Sequence, residues 1–545
     1  MSNSQKRGAD WLVQGLANAG VETVFSLSGN QIMPVYDALV GSGIRIIHTR
    51  HEASAVYMAE AAAQLTGGVG IALLTAGPGF ANGLSAIYSA RESESPIVVL
   101  SGDSPVAQDG QGAFQELDQC AVARPMVKAS HRADNAGRLG HDLMAAIALA
   151  KNGRPGPVHL ALPDDILREI CAEAASAIGP ISVPPAAAID SQVYRDIAAS
   201  LHGAARPMIL AGPAFCRPHW KTALSTVSRQ QNVPVVPFES PRGLRAPRLG
   251  AFADVLKQSD LIVTLGKPLN FMLGFASTGA LDSNCRIIQI EADQHVLQRD
   301  RDNHPNRIVQ QVHADPAEFI TSLAEGPSFD ETNGAWHSAV KEAVAYRPAD
   351  WQTRPAQSGP IGSIAFASAI HPTILAHPDA ALIIDGGEIG QWSQAILDSR
   401  NAMINGPSGA IGASIPYALA AKAVRADQPV ITILGDGTAG FYLAEFETAV
   451  REDLPFVAII GNDAKWNAEH QIQLRDYGAD RAHGCTLTPA RYDQVVADLG
   501  GHGELVTELD AIPSAIERAL AANKPACLNV MIDGQAAPTI SMKAN

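Results

Sequence analysis

Two acidic residues, each following an apolar strand-like run, constrain the fold of this chain more than any other feature. Gly435-Asp436-Gly437 comes directly after the run VITIL, and Asn462-Asp463 ends the next run, LPFVAII. In an open α/β sheet, ligands bind outside the carboxyl ends of the strands. Flanking glycines let backbone approach a phosphate closely, and carboxylates suit Mg²⁺ that also binds substrate phosphates. The pattern therefore predicts a magnesium–diphosphate site on a parallel α/β sheet.

Three regions of the chain repeat one pattern of short apolar strands and helical segments. They cover residues 1–175, 190–345 and 360–540, with runs such as GIALLTAGPG, DLIVTLGK and PACLNVMID. Two proline-bearing stretches, AIGPISVPPAAAID and YRPADWQTRPAQSGPIG, separate the regions and are predicted linkers. A chain of 545 residues is too long for one core. We therefore expect an α/β protein with three doubly wound parallel-sheet domains.

Composition excludes several classes of partner. The net charge of −15 argues against nucleic acid and anionic membranes. The six cysteines are scattered without a CxxC pair, which predicts reduced thiols and a cytoplasmic location. No run of 18 apolar residues occurs, so no membrane-spanning helix is expected. Any anionic small-molecule substrate would then need local positive charge or helix N-termini.

The segment from Gly435 to Asp463 resembles the thiamin diphosphate (ThDP) binding motif, which runs from GDG to an Asn-Asn pair. Asp463 stands where the motif has its second Asn, and Asp is also a good Mg²⁺ ligand. Gly-Asp-Gly alone is an ordinary turn, so the spacing and the second strand carry the resemblance. It implies that Gly435, Asp436, Gly437, Asn462 and Asp463 bind the cofactor, with Asp436 and Asp463 as the metal ligands.

A second resemblance lies near the N-terminus. RHEASAVYMAEAAAQLTG, residues 50–67, is similar to the glutamate helix of ThDP enzymes, and TAGPGFANG, residues 75–83, is similar to the turn that follows it. The helix dipole alone would favour a glutamate at a helix start. The resemblance implies more: Glu52 contacts the aminopyrimidine and tunes its protonation, while the cofactor performs the carbanion chemistry. The implied pocket residues beside it are Thr75, Gly77, Pro78 and Asn82.

Further segments extend the resemblance over nearly the whole chain. GAFQELDQCAVARPMVKAS, residues 112–130, looks like acetohydroxyacid synthases, which implies that Phe114 and Gln115 face the substrate. A surface helix position is the alternative for Gln115. In the third region, Gly386, Gly387 and Glu388 would line the diphosphate side of the site. Ile411 takes the place of the residue that bends the cofactor into a V shape, although an ordinary core position is the alternative.

The family includes acetohydroxyacid synthases, benzaldehyde lyase, oxalyl-CoA decarboxylase and 2-hydroxyacyl-CoA lyase. Synthases usually carry proline where this chain has Ser28, and their arginine pattern near FAD is replaced by GKPLNF. FAD is therefore unlikely as a cofactor. Lys267 of that segment is interpreted as a solvated loop lysine, with contact to an acyl-CoA phosphate as the alternative. His48 and His51 flank Glu52, but neighbours at a strand end need not share a pocket.

The sequence predicts a ThDP- and Mg²⁺-dependent carbon–carbon lyase or carboligase that acts through an enamine intermediate. Glu52, Gln115 and Ser28 are the predicted catalytic residues. Candidate substrates are 2-hydroxyacyl compounds, including CoA thioesters, and acyloins; an acetolactate synthase-type reaction on 2-keto acids is the alternative. A non-catalytic binding or regulatory relative, and a nucleotide-binding oxidoreductase, are less favoured. A homodimer or homotetramer is expected, with Glu52 from one chain and the aspartate pair from another.

Overall fold

The computed structural model describes residues 6–171, 189–326, 334–351 and 360–542. Most of the first predicted linker and about half of the second lie outside these residues. The chain divides into two compact units. The first contains residues up to 185 together with 419–424 and 447–452, and the second contains the remainder.

A six-stranded parallel sheet forms the centre of the first unit, with strand order β3-β2-β4-β5-β7-β6. The first and last strands of the unit, β1 and β8, lie outside this sheet and form a separate antiparallel pair. The strands are β1 (Lys6–Arg7), β2 (Thr23–Ser26), β3 (Arg45–His48), β4 (Gly70–Leu74), β5 (Ile97–Asp103), β6 (Ser130–Arg132), β7 (Val158–Pro163) and β8 (Ile170–Cys171). The α-helices are α1 (Gly8–Asn18), α2 (Met33–Leu39), α3 (Glu52–Thr66), α4 (Pro78–Asn82), α5 (Leu84–Glu92), α6 (Gln119–Ala123), α7 (Leu139–Lys151) and α8 (Asp164–Arg168).

The helix that follows β3 has clear start and stop signals. At its start, the side chain of His51 accepts a hydrogen bond from the backbone N–H of Ala53. At its end, Gly67 adopts a left-handed conformation with φ of 70°. Alanine-rich and buried on nearly all sides, α3 packs as a core helix. Its position directly after β3 fixes Glu52 at the carboxyl edge of the sheet.

The second unit holds two sheets whose strands are all parallel. The five-stranded sheet has the order β10-β9-β11-β12-β13, and the seven-stranded sheet has the order β14-β20-β18-β17-β15-β16 with β19 also paired to β20. The strands are β9 (Pro207–Ala211), β10 (Val235–Pro237), β11 (Leu261–Leu265), β12 (Arg286–Glu291), β13 (Ile308–His313), β14 (Ile361–Gly362), β15 (Ala381–Ile384), β16 (Ala402–Ile404), β17 (Val430–Gly435), β18 (Val457–Asn462), β19 (His502–Val506) and β20 (Ala526–Asp533).

Helices follow most of these strands. They are α9 (Ser191–Gly203), α10 (Lys221–Gln230), α11 (Phe252–Leu256), α12 (Gln294–Asn303), α13 (Pro316–Glu325), α14 (Gly334–Ala345), α15 (Ser363–Ala376), α16 (Gly387–Ile396), α17 (Ser414–Val424), α18 (Asp436–Ala439), α19 (Glu445–Arg451), α20 (Asn467–Tyr477), α21 (Tyr492–Asp498) and α22 (Ile512–Ala521). Alternate residues of β9 belong to two different apolar clusters: Met208 and Leu210 to one, Ile209 and Ala211 to the other. Because successive side chains of a strand point to opposite faces, this sheet is covered on both sides.

Three parallel sheets flanked by helices confirm the predicted fold class. One sheet falls within each of the ranges 1–175, 190–345 and 360–540, while the domain limits themselves stay predictions. All six cysteines lie within the described residues, and none of them forms a disulfide. Within the described ranges, no helix has the length and apolar character needed to span a membrane.

Candidate active site

Glu52 lies at the carboxyl edge of the first unit's sheet and is almost completely buried, with 8% of its surface exposed. Its Oε2 accepts a hydrogen bond of 3.0 Å from Nδ2 of Asn82, at the end of α4. A Cβ atom placed on Gly79 would lie only 3.4 Å from Oε1. The structure therefore brings together the glutamate, Asn82 and the GPG turn. Their roles toward a cofactor stay predictions.

The turn after β4 connects Glu52's surroundings to Gln115. Thr75 donates a 2.8 Å hydrogen bond to Oε1 of Gln31, and Gln31 donates one of 2.9 Å to Oε1 of Gln115. Gly77 has φ of +57°, and a Cβ there would lie 2.9 Å from Cβ of Gln115. Pro78 begins α4 directly after it. Gln31, which is 4% exposed, was not predicted from the sequence.

Gln115 occupies a turn rather than a helix, so the surface-helix interpretation is wrong. Its φ of 61° is in the left-handed region, which is uncommon for a non-glycine residue. The carboxylate of Glu116 accepts backbone N–H groups from Gly110, Gly112 and Ala113 and so holds the loop in shape. Phe114 on the same loop is 73% exposed. The loop thus presents one aromatic ring outward and one amide toward Gln31.

Ser28, two residues after β2, is exposed, and its Oγ lies 3.0 Å from Nε2 of His48. The pair follows from the sheet register, because Ser26 of β2 lies opposite His48 of the parallel strand β3. Burial lowers the pKa of His48, and the charge of Arg451 lowers it further. The two strand ends therefore bring the Ser28 and His48 side chains into contact, which their sequence positions did not reveal.

The second unit contains the predicted metal ligands. Asp436 begins α18 after β17, and Asp463 follows the neighbouring strand β18. Burial raises the pKa of Asp436, and the adjacent carboxylate of Asp463 raises it further. Burial also raises the pKa of Asp463, although Lys465 opposes this. Two carboxylates in contact and away from water repel one another unless a cation or a proton lies between them.

These residues fit a magnesium ion. Oδ2 of Asp436 is buried and makes no hydrogen bond within the described part of the chain, so it remains available as a ligand. A Cβ on Gly534 would lie 1.8 Å from Oδ2 of Asp463, and one on Gly437 would lie 2.7 Å from the Trp466 ring. Glycine backbone therefore packs directly against the site. Mg²⁺ usually takes one or two carboxylates and completes its coordination with phosphate and water.

A buried carboxylate that the sequence analysis missed organises the neighbouring loops. Asp385, which is 0% exposed, accepts backbone N–H groups from Gly386, Gly412 and Ser414. Burial raises its pKa. The sequence signal that could have identified Asp385 is its position directly after the apolar strand β15. Asp385 thereby ties the loop that carries Ile411 to the carboxyl end of β15.

Ile411 is half-buried and packs over the backbone of Gly386, where a Cβ would lie 3.0 Å from Cγ2 of Ile411. Ile411 is therefore not a fully buried core residue, and its role toward a cofactor stays a prediction. Gly387 has φ of +76° at the start of α16. Gly435 ends β17, and Gly386, the N-cap of α16, lies two residues after the end of β15. The predicted cofactor-side residues of the third region therefore gather at one edge of one sheet.

Two predicted residues are engaged by other parts of the second unit. Glu388 forms an ion pair of 3.0 Å with Arg242 and is 7% exposed. Nδ2 of Asn462 donates to Ala490 and Asn529, while its Oδ1 accepts from the backbone of Ala464. These contacts fix the loops beside the aspartate pair.

Lys267 is 0% exposed, so the interpretation as a solvated loop lysine is wrong. Its Nζ lies 3.2 Å from Sδ of Met272 and 4.2 Å from the centre of the Phe238 ring. A cation above an aromatic ring is stabilised electrostatically. The lysine of the segment GKPLNF is therefore buried against the Met272 and Phe238 side chains.

Fold and site together define an enzyme that uses ThDP. The N-terminal TPP-binding domain of thiamine pyrophosphate enzymes matches residues 6–122, and the C-terminal TPP-binding domain matches residues 385–530. The first match contains Glu52, and the second contains Asp436 and Asp463. The chain belongs to the family of thiamine pyrophosphate enzymes.

Its relatives within the family fall into two groups. It is 32% identical over 534 residues to a probable acetolactate synthase of Mycobacterium bovis, covering 96% of this chain and 95% of the relative. It is 28% identical over 582 residues to 2-hydroxyacyl-CoA lyase 2 of Caenorhabditis elegans, covering 97% and 90%. The protein is thus a ThDP-dependent enzyme related to both acetolactate synthases and 2-hydroxyacyl-CoA lyases.

A solved structure has the same fold. The thiamine diphosphate-dependent 4-hydroxybenzoylformate decarboxylase of Rhodococcus jostii RHA1 matches with a TM-score of 0.81 at 21% sequence identity. The match covers 97% of this chain and 99% of the decarboxylase. It confirms the three-sheet α/β architecture.

Proposed function

We propose that this enzyme breaks or forms the carbon–carbon bond beside a carbonyl, with 2-hydroxyacyl compounds, including CoA thioesters, or acyloins as donors. The observation that carries the substrate class is the exposed hydroxyl of Ser28 at the edge that holds Glu52. A small polar side chain leaves room for the donor and offers a hydrogen bond to its oxygen. FAD has no place in this proposal.

The residues of the two units have distinct roles in the proposal. Bound ThDP supplies the nucleophilic carbon and the electron sink. Glu52 moves a proton at the aminopyrimidine nitrogen, and Asn82 orients its carboxylate. Asp436 and Asp463 would hold Mg²⁺, which would neutralise the charge of the diphosphate. Ile411 would support the bound cofactor, while Gln115, held by Gln31, would face the substrate.

An acetolactate synthase-type reaction is the second candidate. The relative with the higher identity, 32% against 28%, is named a probable acetolactate synthase. In that case 2-keto acids such as pyruvate would be the donors. The difference rests on pocket residues, because both reactions use the same cofactor chemistry.

A substrate panel separates the two candidates. Purified protein loaded with ThDP and Mg²⁺ is assayed with pyruvate, benzoin, oxalyl-CoA and 2-hydroxyacyl-CoA compounds. We expect a colourless protein with a higher kcat/KM for a 2-hydroxyacyl-CoA or an acyloin than for pyruvate condensation, and Ser28→Ala lowers that preference. A yellow protein that makes acetolactate fastest would overturn the choice and establish the second candidate.

We further propose that the active unit is a homodimer or homotetramer in the cytoplasm, consistent with the free thiols. One copy supplies Glu52 and a second copy supplies Asp436 and Asp463. Mixing inactive Glu52→Gln with inactive Asp436→Ala tests this. If subunits exchange in a symmetric dimer, mixed dimers contain one intact site, and about a quarter of parent activity returns. Exchange demonstrated with tagged subunits but without recovered activity would contradict the proposal.

A further inference from the structure

The Ser28–His48 pair sits on a rigid part of the first unit's carboxyl edge. A Cβ on Gly29 would lie 2.3 Å from Thr75, and one on Gly79 would lie 2.5 Å from Thr75 and 3.4 Å from Glu52. These close approaches connect the Ser28 loop to the glutamate through one threonine. The hydroxyl is exposed, and the imidazole behind it is half-buried. A substrate beside Glu52 would therefore meet Ser28 before it meets His48.

The surroundings of His48 favour its neutral form at pH 7. Arg451 donates to the backbone carbonyl of His48, and Arg50 is the second cation that faces the ring. The two facing acids, Glu447 and Glu452, are both paired with Arg451, at 3.1 Å and 2.6 Å. Burial lowers the pKa of His48 most, followed by Arg451. A neutral imidazole can accept the proton of a hydroxyl that lies 3.0 Å away.

We propose that His48 is a positioning residue that acts through Ser28, and that the pair exchanges a proton with the hydroxyl or carbonyl oxygen of the substrate. This inference rests on the proposed function. With His48 neutral, the Ser28 O–H donates to Nε2 and its lone pairs accept from the substrate hydroxyl. With His48 protonated, Nε2–H donates to Ser28, whose own O–H then points to the substrate.

In the proposed cleavage, one proton passes from the substrate hydroxyl through Ser28 to His48. The bond between the hydroxyl-bearing carbon and the acyl carbon breaks, and its electron pair stays with the acyl carbon. The hydroxyl oxygen becomes the carbonyl of an aldehyde or ketone. Its proton passes to Ser28 Oγ while the Ser28 proton passes to Nε2 of His48. Bond formation runs the same steps in reverse, with protonated His48 supplying the proton to the carbonyl oxygen.

The pH dependence of cleavage tests the relay. Because neutral His48 is the active form and its pKa is lowered, kcat/KM of the parent should fall on an acid limb below pH 6.5, the ordinary histidine value. His48→Phe should lose this limb and reduce cleavage at pH 7 by roughly 10²-fold. His131→Phe is the matched control, since His131 is an exposed histidine of the same unit. An unchanged limb in His48→Phe overturns the relay.

A second readout needs no cofactor and no turnover. Diethyl pyrocarbonate modifies neutral imidazoles, and trypsin releases the peptide between Arg45 and Arg50, in which His48 is the one histidine. Losing the hydroxyl partner should expose Nε2 and speed modification of His48 in Ser28→Ala by about fivefold, the equivalent of a net hydrogen bond of about 1 kcal/mol. Ser28→Thr should stay at the parent rate. Equal rates in parent and Ser28→Ala overturn the pairing.

The outcomes separate the two proposals. A parent that is inactive with every 2-hydroxyacyl and acyloin donor overturns the proposed function and the relay's role in it. A parent active in cleavage whose acid limb survives in His48→Phe overturns the relay alone. Faster labelling in Ser28→Ala together with loss of the limb in His48→Phe supports both.

Discussion

The carboxylates of the two units are held in opposite ways. In the first unit, Glu52 is buried with a neutral amide partner, Asn82, at 3.0 Å. In the second unit, Asp436 is buried against another carboxylate, Asp463, and one of its oxygens makes no hydrogen bond within the described residues. One arrangement suits a group that gains and loses a proton. The other is complete only with a positive ion.

This difference teaches how similar sheets can carry different chemistry. Both sites lie at the carboxyl ends of parallel strands, where backbone and loops converge. The first unit places Asn82 against its acid and a chain of hydrogen-bonded polar groups, Thr75, Gln31 and Gln115, beside it. The second places glycines around its acids, so that backbone packs against them. In the proposed function, the polar side chains of the first unit would transfer protons, whereas the glycine backbone of the second unit would leave room for a metal and a diphosphate.

The largest expected effect comes from removing the second unit's cation site. Asp436→Ala should lower ThDP affinity in Mg²⁺ by more than the roughly 10- to 100-fold typical of losing an outer partner of a metal ligand. Calorimetric titration with ThDP measures the loss, and circular dichroism checks that the fold is kept. Asp498→Ala, a change at an exposed aspartate of α21, is the matched control. ThDP binding as tight as in the parent would show that Asp436 does not hold the metal.

Glu52→Gln should impair proton transfer in the first unit and leave the binding of ThDP and Mg²⁺ by the second unit intact. An amide has nearly the shape of the acid but cannot exchange the proton, so kcat should fall by roughly 10²-fold or more. Affinity for ThDP and Mg²⁺ should stay near that of the parent. Glu22→Gln removes one exposed carboxylate from the same unit and serves as the control. Steady-state kinetics that leave kcat unchanged would remove Glu52 from the mechanism.

A smaller effect is expected at Gly386, whose backbone packs against the Ile411 side chain. In Gly386→Ala the new Cβ would lie 2.8 Å from Nδ2 of Asn405 and 3.0 Å from Ile411, so both side chains must shift. We expect ThDP affinity to weaken by roughly fivefold, the equivalent of about 1 kcal/mol. Gly203→Ala is the control, because a Cβ there meets nothing within 4 Å. Equal affinities of the two variants would contradict the close packing at Gly386.

An effect of another kind concerns the acid stability of the first unit. His159 lies 2.8 Å from both Ser101 and Ser130, and burial lowers its pKa to about 3. In the unfolded chain His159 therefore binds a proton below about pH 6.5, whereas in the folded chain it stays neutral down to about pH 3. The free energy of unfolding is therefore highest above pH 6.5 and decreases as the pH falls. Between pH 6.5 and 5 the loss should be about 2 kcal/mol. Urea unfolding of His159→Gln should lack this loss, and an equal pH slope in parent and variant would contradict it.

Sequence patterns predicted the long apolar strands and missed several short strands at the sheet edges. Runs such as PIVVLSGD and LPFVAII were found because parallel strands buried on both faces are continuously apolar. Ser130–Arg132, Ala402–Ile404 and His502–Val506 were not predicted, since edge strands of three to five residues carry little signal. Glycine-flanked carboxylates were recognisable from spacing.

The side-chain contacts within the site could not be predicted from the sequence. His48 reaches Ser28 only because β3 pairs with β2 in a given register. Gln31 and Gln115 are far apart in the chain and meet through a loop whose φ at Gln115 is 61°. Asp385 gave a weak signal, an acid at a strand end, but its role in holding two loops depends on tertiary contacts.

In the proposed function, the first unit's carboxylate moves a proton and the second unit's carboxylates hold a cation. Hydrogen–deuterium exchange at the thiazolium carbon of bound ThDP, followed by NMR after acid quench, tests it most directly. At saturating ThDP and Mg²⁺, we predict that Glu52→Gln slows exchange by roughly 10²-fold or more, while Glu22→Gln exchanges at the parent rate. Exchange at the parent rate in cofactor-saturated Glu52→Gln would contradict the claim.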